Sequence, residues 1–174
     1  MVGTLLMETM DLRQLLIDGS VLSILIGALV VISFRWKPRI WLRNLPEDIQ
    51  ELADPMTEAE QRWMGIIGLL FIGLLFSGLV VSTLRFGLEH GFLIASLHAY
   101  LIFQVFNLFD FVVIDWGLMM SINPARPPIA GTENAPGYRD FGFHALQSLK
   151  GVAIGAPFAA AATGVAWLAA QLID

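Results

Sequence analysis

The chain has 174 residues, 56% of them hydrophobic and 14% charged, and a mean hydropathy of +0.70, too apolar for a water-soluble domain of this size. It contains no cysteine, which excludes disulfides, thiolate-bound zinc, iron–sulfur clusters and cysteine nucleophiles. A net charge of −5 without any basic run argues against nucleic acid as a partner and leaves the lipid bilayer as the solvent.

Residues 1–18 mix Leu5, Leu6, Met10, Leu12, Leu15 and Leu16 with Glu8, Asp11 and Arg13, the pattern of a short helix lying in the membrane interface. Those charges also break up any positively charged start of a secretory signal, so the N-terminus is read as mature sequence. A first span is predicted over about residues 16–34, ending where Arg35, Trp36, Lys37 and Arg39 meet the headgroups.

The connector 35–62 is polar, with Pro46, Glu47 and Asp48 as the first turn of a short helix and Asp54-Pro55 as a break. Thr57 followed three residues later by Glu60 is a capping box, so a helix starts there and carries a second span over 63–84. Only Arg85, Phe86 and Gly87 stand between it and the next helix, which forces the two to be antiparallel neighbours. The third span is expected over 90–114, with helical periodicity from Leu88 to about Met120, longer than a bilayer needs.

In the second connector, 115–150, Asn123-Pro124, Pro127-Pro128, Gly131 and Pro136-Gly137 deny regular structure to a long stretch. Asp140 is placed to cap a last helix that enters the membrane near Gly151, spans 151–172 and is expected to kink at Pro157. Arg35, Lys37, Arg39, Arg43 and Arg62 lie in the first connector and Arg126, Arg139 and Lys150 in the second, against only Arg13 and Arg85 on the other side. That asymmetry puts both connectors in the cytoplasm. The expectation is therefore an all-α integral membrane protein, one domain over 1–174. It is a four-transmembrane-helix bundle with N-out/C-out topology, in a bacterial cytoplasmic membrane.

Polar residues in the third span carry the chemistry. At about 100° per residue, Glu89, Ser96, Tyr100, Gln104 and Asn107 share one face, with Asp110 flanking it and Asp115 returning to it. Lipid offers such groups no partner, so the face points into the bundle, as interhelical packing or as a site. Asp110 needs a cation, a metal, a proton or interfacial water, and Arg126, Arg139 and His144 are its nearest candidates. His98 lies on a different face. Two histidines on separate helices are the minimum for haem or a metal, but no metal-ligand spacing accompanies His98 and His144, and they sit at different depths.

In the second connector, Arg126 and Arg139 are candidate anion holders beside the helix start at Asp140, with His144 nearby. An alternative pairs Arg139 with Asp110 or Asp115 inside a rigid cap. Gly151, Gly155, Ala159 and Thr163, at intervals of four, let the last span approach a neighbour in the bundle or in a second copy.

Three functions fit. The first is a non-catalytic subunit or assembly partner of a membrane complex, meeting other membrane subunits or self-associating through the last span. The second is a homo-oligomeric small transporter or channel using the polar stripe. The third is an intramembrane enzyme or binding protein for a lipid-soluble ligand at the cytoplasmic interface, with Asp110, Asp115 and His144 as proton-transfer groups.

Overall fold

Four helices long and apolar enough to cross a membrane make up most of the computed structural model, which describes residues 11–173. Helix α1 spans Leu12–Trp36 and leads through a 3-10 stretch, Pro38–Asn44, to the short α2, Glu47–Leu52. Helix α3 spans Glu58–Phe86, and α4 spans Phe92–Phe109. The latter continues as a π-helix, Asp110–Leu118, and a 3-10 turn, Met119–Ser121. After a second 3-10 stretch, Pro136–Arg139, α5 runs Phe141–Ile173. The chain is an all-α membrane bundle.

Local chemistry sets the helix starts. Asp11 accepts a hydrogen bond from the Gln14 amide and opens α1. The helix thus begins earlier than the expected span, and Leu12 to Asp18 run into it rather than forming a separate interfacial helix. The remainder of that expected helix, residues 1–10, lies outside the described residues. Thr57 and Glu60 cap α3 reciprocally, satisfying two amides that would otherwise lack acceptors. Asp140 accepts from the Phe143 amide at the start of α5. The hairpin between α3 and α4 turns through Gly87 and Gly91, at φ +95° and +84°, values that side chains rarely tolerate.

Helix α4 packs most extensively on α5 and also contacts α1 and α3, so it occupies the centre of the bundle, with α1 and α5 on opposite sides of it. Buried Ile26, Val30, Leu75, Leu79, Ile102 and Phe106 fill the space between α1, α3 and α4. Because lipid is as apolar as these side chains, close packing rather than escape from water holds the helices together. Gly151 and Gly155 show this directly: a Cβ on either would run into Asn107, or into Phe103 and Gln104, of α4. These two small residues are used inside the bundle. Helix α3 is the most outward element, with 17% of its apolar window buried against 44% for α1.

The two connectors interlock at the end opposite the hairpin. Asp48 of α2 accepts a hydrogen bond of 2.7 Å from the Gly137 amide, and Ile49, Ile129, Ala135 and Tyr138 are buried in the same cluster. The Tyr138 and Thr132 hydroxyls lie 2.7 Å apart beneath that roof. A long irregular loop thereby becomes a fixed cap over the bundle.

Candidate functional site

Beyond Phe109 the third spanning helix changes its winding, and the π-helix from Asp110 to Leu118 is nine residues long. Such segments are rare and concentrate at functional sites. On an α-helix, side chains five residues apart point about 140° away from each other. A winding that closes every five residues stacks them instead. Asp110 and Asp115 accordingly line one cavity, of about 330 Å³. Sequence periodicity had placed them on adjoining faces, since nothing in the local pattern announces the change of pitch.

All four spanning helices build this cavity. Val30 comes from α1, Phe71 from α3, and Phe143, His144 and Gln147 from α5, while Trp41, Arg43 and Asn44 of the first connector close its connector side. Its volume falls within the range of small-molecule sites. Trp41 is held in place by its indole N–H, which donates to Ser33 of α1 at 3.0 Å. Phe71 meets the ring of Phe106 edge-on.

His144 is buried, and its Nδ1 lies 2.9 Å from Oδ1 of Asp115. A hydrogen bond from Nδ1 to the carboxylate fixes the tautomer and leaves Nε2 with a lone pair for whatever occupies the cavity. Asp110 makes no hydrogen bond or ion pair with any described residue. Neither arginine expected as its partner pairs with it. The Arg139 guanidinium donates to the Met120 carbonyl rather than to Asp110 or Asp115, and Arg126 is exposed. Neither arginine lines the cavity; Arg43 of the first connector, one of the charges that mark its cytoplasmic expectation, does. Asp140 serves as the cap of α5.

Most of the polar stripe goes into packing. Tyr100 donates to the Val152 carbonyl at 3.3 Å and Asn107 to the Ser148 carbonyl at 3.1 Å, both on α5. Gln104 accepts from Asn107, while its amide nitrogen and the Ser96 hydroxyl are buried without a partner. Glu89 departs from the expectation: it lies in the turn before α4, is exposed, and has its carboxylate 3.7 Å from Nε2 of His90. The stripe therefore starts at Ser96.

A second polar cluster, at the hairpin end, was not legible as a unit. Asp18 of α1 accepts from the Ser82 hydroxyl at 2.6 Å and from Arg85 at 2.5 Å, both on α3. His98 of α4 places Nε2 3.3 Å from the same hydroxyl. Since Ser82 gives its single proton to Asp18, its oxygen accepts from Nε2–H, and Nδ1 of His98 is left buried without a partner among the described residues. The imidazole stacks on Phe86, with ring centroids 4.1 Å apart. His98 and His144 thus belong to separate clusters at opposite ends of the bundle. Among the described residues, no three His, Asp or Glu side chains gather as a metal site.

Comparisons with protein-family models, with curated proteins and with solved structures find no match to this chain.

Proposed function

We propose that the connector-end cavity binds a lipid-soluble small molecule by its polar head and exchanges a proton with it. The observation that carries this reading is the arrangement of one cavity wall, where Asp110, without a hydrogen bond or ion pair among the described residues, stands beside an Asp115–His144 pair. In the proposed exchange, Nε2 of His144 takes the proton of a head-group hydroxyl, whose electron pair stays on its oxygen. Asp115 stabilises the resulting imidazolium and holds the ring in orientation. Asp110 hydrogen-bonds the head. The excess of Lys and Arg in the two connectors supports a bacterial cytoplasmic membrane with this site on the cytoplasmic side.

A methyl-substituted benzoquinol without a tail tests the reading, because its two hydroxyls both donate and accept hydrogen bonds. With the protein in nanodiscs, tryptophan fluorescence should report its binding, since Trp41 lines the cavity. Loss of one hydrogen bond to the head should weaken it roughly tenfold in His144→Gln and in Asp110→Asn. Absence of binding in the wild type, or binding in both variants as tight as in the wild type, rules the reading out.

A second reading, that the chain is a subunit of a membrane complex, is favoured by α3. Gly65, Gly68 and Gly73 on this outward helix meet nothing within 4 Å of an added Cβ. Glycines facing outward leave room for another membrane helix. Additional chains in the native mass spectrum of gently extracted protein would support it, and a solitary chain would count against it.

A further inference from the structure

The connector-end cavity has an apolar annexe. A groove of about 290 Å³ runs along the outer side of α3, between Met64, Ile67, Gly68 and Ile72 and the Ile40 side of the first connector. It shares Trp41, Asn44 and Phe71 with the cavity that holds Asp110 and His144. The polar chamber and the apolar groove are thus adjoining halves with a common wall. Gly68 keeps the groove open, because a Cβ there would meet nothing within 4 Å, and Ile72 on the next turn is exposed towards lipid.

From this juxtaposition we infer that the ligand is a single-tailed amphiphile, whose neutral, hydroxyl- or carbonyl-bearing head sits in the polar chamber while its hydrocarbon tail leaves past Trp41 and Phe71 along Gly68 of α3. The inference rests on the proposed head-binding function and adds the path of the tail and the class of the molecule. The chamber selects the head by charge. Two carboxyl groups, Asp110 and Asp115, outnumber the single guanidinium of Arg43 and oppose an anionic head, whereas His144, Asn44 and Gln147 offer both donors and acceptors to a neutral one. The groove selects the tail by shape and surroundings. It lies between α3 and the first connector and borders exposed Ile72, so a hydrocarbon chain enters it from the bilayer without crossing water. A second acyl chain would have to lie outside the groove, which favours one tail over two.

The experiment uses full-length protein in nanodiscs and two probes: the methyl-substituted benzoquinol above, and the same ring carrying a decyl chain with a diazirine at its end. Photolysis is expected to place the label on the α3 stretch containing Met64, Gly68 and Ile72. Gly68→Trp, whose side chain enters open space, fills the groove. Overpacking of that kind should weaken the tailed probe by roughly tenfold or more while the tail-free probe binds as before. Ile72→Trp, an exposed position one turn on, gives an independent obstruction should the first variant fold poorly.

If the tail-free probe binds the wild type but the label lands elsewhere, or both Trp variants bind the tailed probe normally, the tail path is wrong and the head site stands. If neither probe binds the wild type, the head-binding function and this inference fall together. If Gly68→Trp instead releases a co-purifying membrane chain or breaks a homo-oligomer, the groove holds a protein helix, and the inference is overturned.

Discussion

Both ends of the bundle place a carboxylate near a histidine, yet the two carboxylates are used differently. Asp18 spends one oxygen on Ser82 and the other on Arg85, and His98 closes the same network against Phe86. Asp110 faces a cavity with no hydrogen-bond or ion-pair partner among the described residues, beside a histidine already oriented by Asp115. Buried polarity alone therefore does not mark a site in a membrane bundle. Groups that answer one another hold helices together, and groups left unanswered around a cavity are available to a ligand.

The strongest way to break that comparison is to remove each carboxylate in turn. Asp18→Ala leaves the buried Ser82 hydroxyl without its acceptor, loosens the Ser82 contact with His98 and deprives Arg85 of its counter-ion. Half-exposed Arg85 can turn to the interface, which moderates the penalty, so we expect a loss on the order of 2 kcal/mol in SDS- or heat-induced unfolding of the micellar protein. Asp110→Asn removes no hydrogen bond or ion pair to a described residue and should change stability by under about 0.5 kcal/mol. Equal losses at the two positions would mean that Asp110 is structural after all.

The same distinction separates the closed polar stripe from the open groove. Gly155→Leu would drive a side chain into Phe103 and Gln104, an overpacking that should cost about 1–3 kcal/mol. The same measurement checks it. A silent Gly155→Leu would show that α5 can move away from α4, and that the stripe is less firmly closed than Tyr100 and Asn107 make it.

Which of these features the sequence discloses follows from the range of the interactions behind them. Four spans, the Thr57–Glu60 box, the Asp140 cap and the short α2 are local, and composition, spacing and capping chemistry make each legible within a few residues. The face carrying Ser96, Tyr100, Gln104 and Asn107 was legible too, as was the small-residue face of α5 that it meets, because both are helical periodicities. The Asp18 network was not, since its members are separated by 64 and 67 residues and depend on how α1 and α3 are set against each other. Nor was the stacking of Asp110 over Asp115, which needs the π-helical pitch. Asp110, Asp115 and His144 could be named as candidates from the sequence. Their meeting, and the entry of Arg43 in place of Arg126 and Arg139, required the fold.

The roof over the connector-end cavity gives the smallest effect and refines the comparison there. Tyr138 is buried under the interlocked connectors, and burial pushes its hydroxyl above the ordinary tyrosine range. The hydrogen bond shared with Thr132 opposes that shift, while the charges of Glu133 and Asp48 add to it. With its folded pKa raised above that of the unfolded chain, Tyr138 contributes stability that is fully present below about pH 10 and is lost as pH rises through the folded value. In a Tyr100→Phe background it is the sole tyrosine, so ultraviolet difference absorbance follows it alone. Its ionisation is expected above the free-tyrosine range, together with easier proteolysis of the second connector as the roof loosens. Tyr138→Phe should remove that alkaline step and cost about 1 kcal/mol through the lost bond to Thr132. Ionisation at the free-tyrosine value with no change in proteolysis would mean that the roof opens readily in solution. The cavity beneath it would then be reached from water as well as from the bilayer.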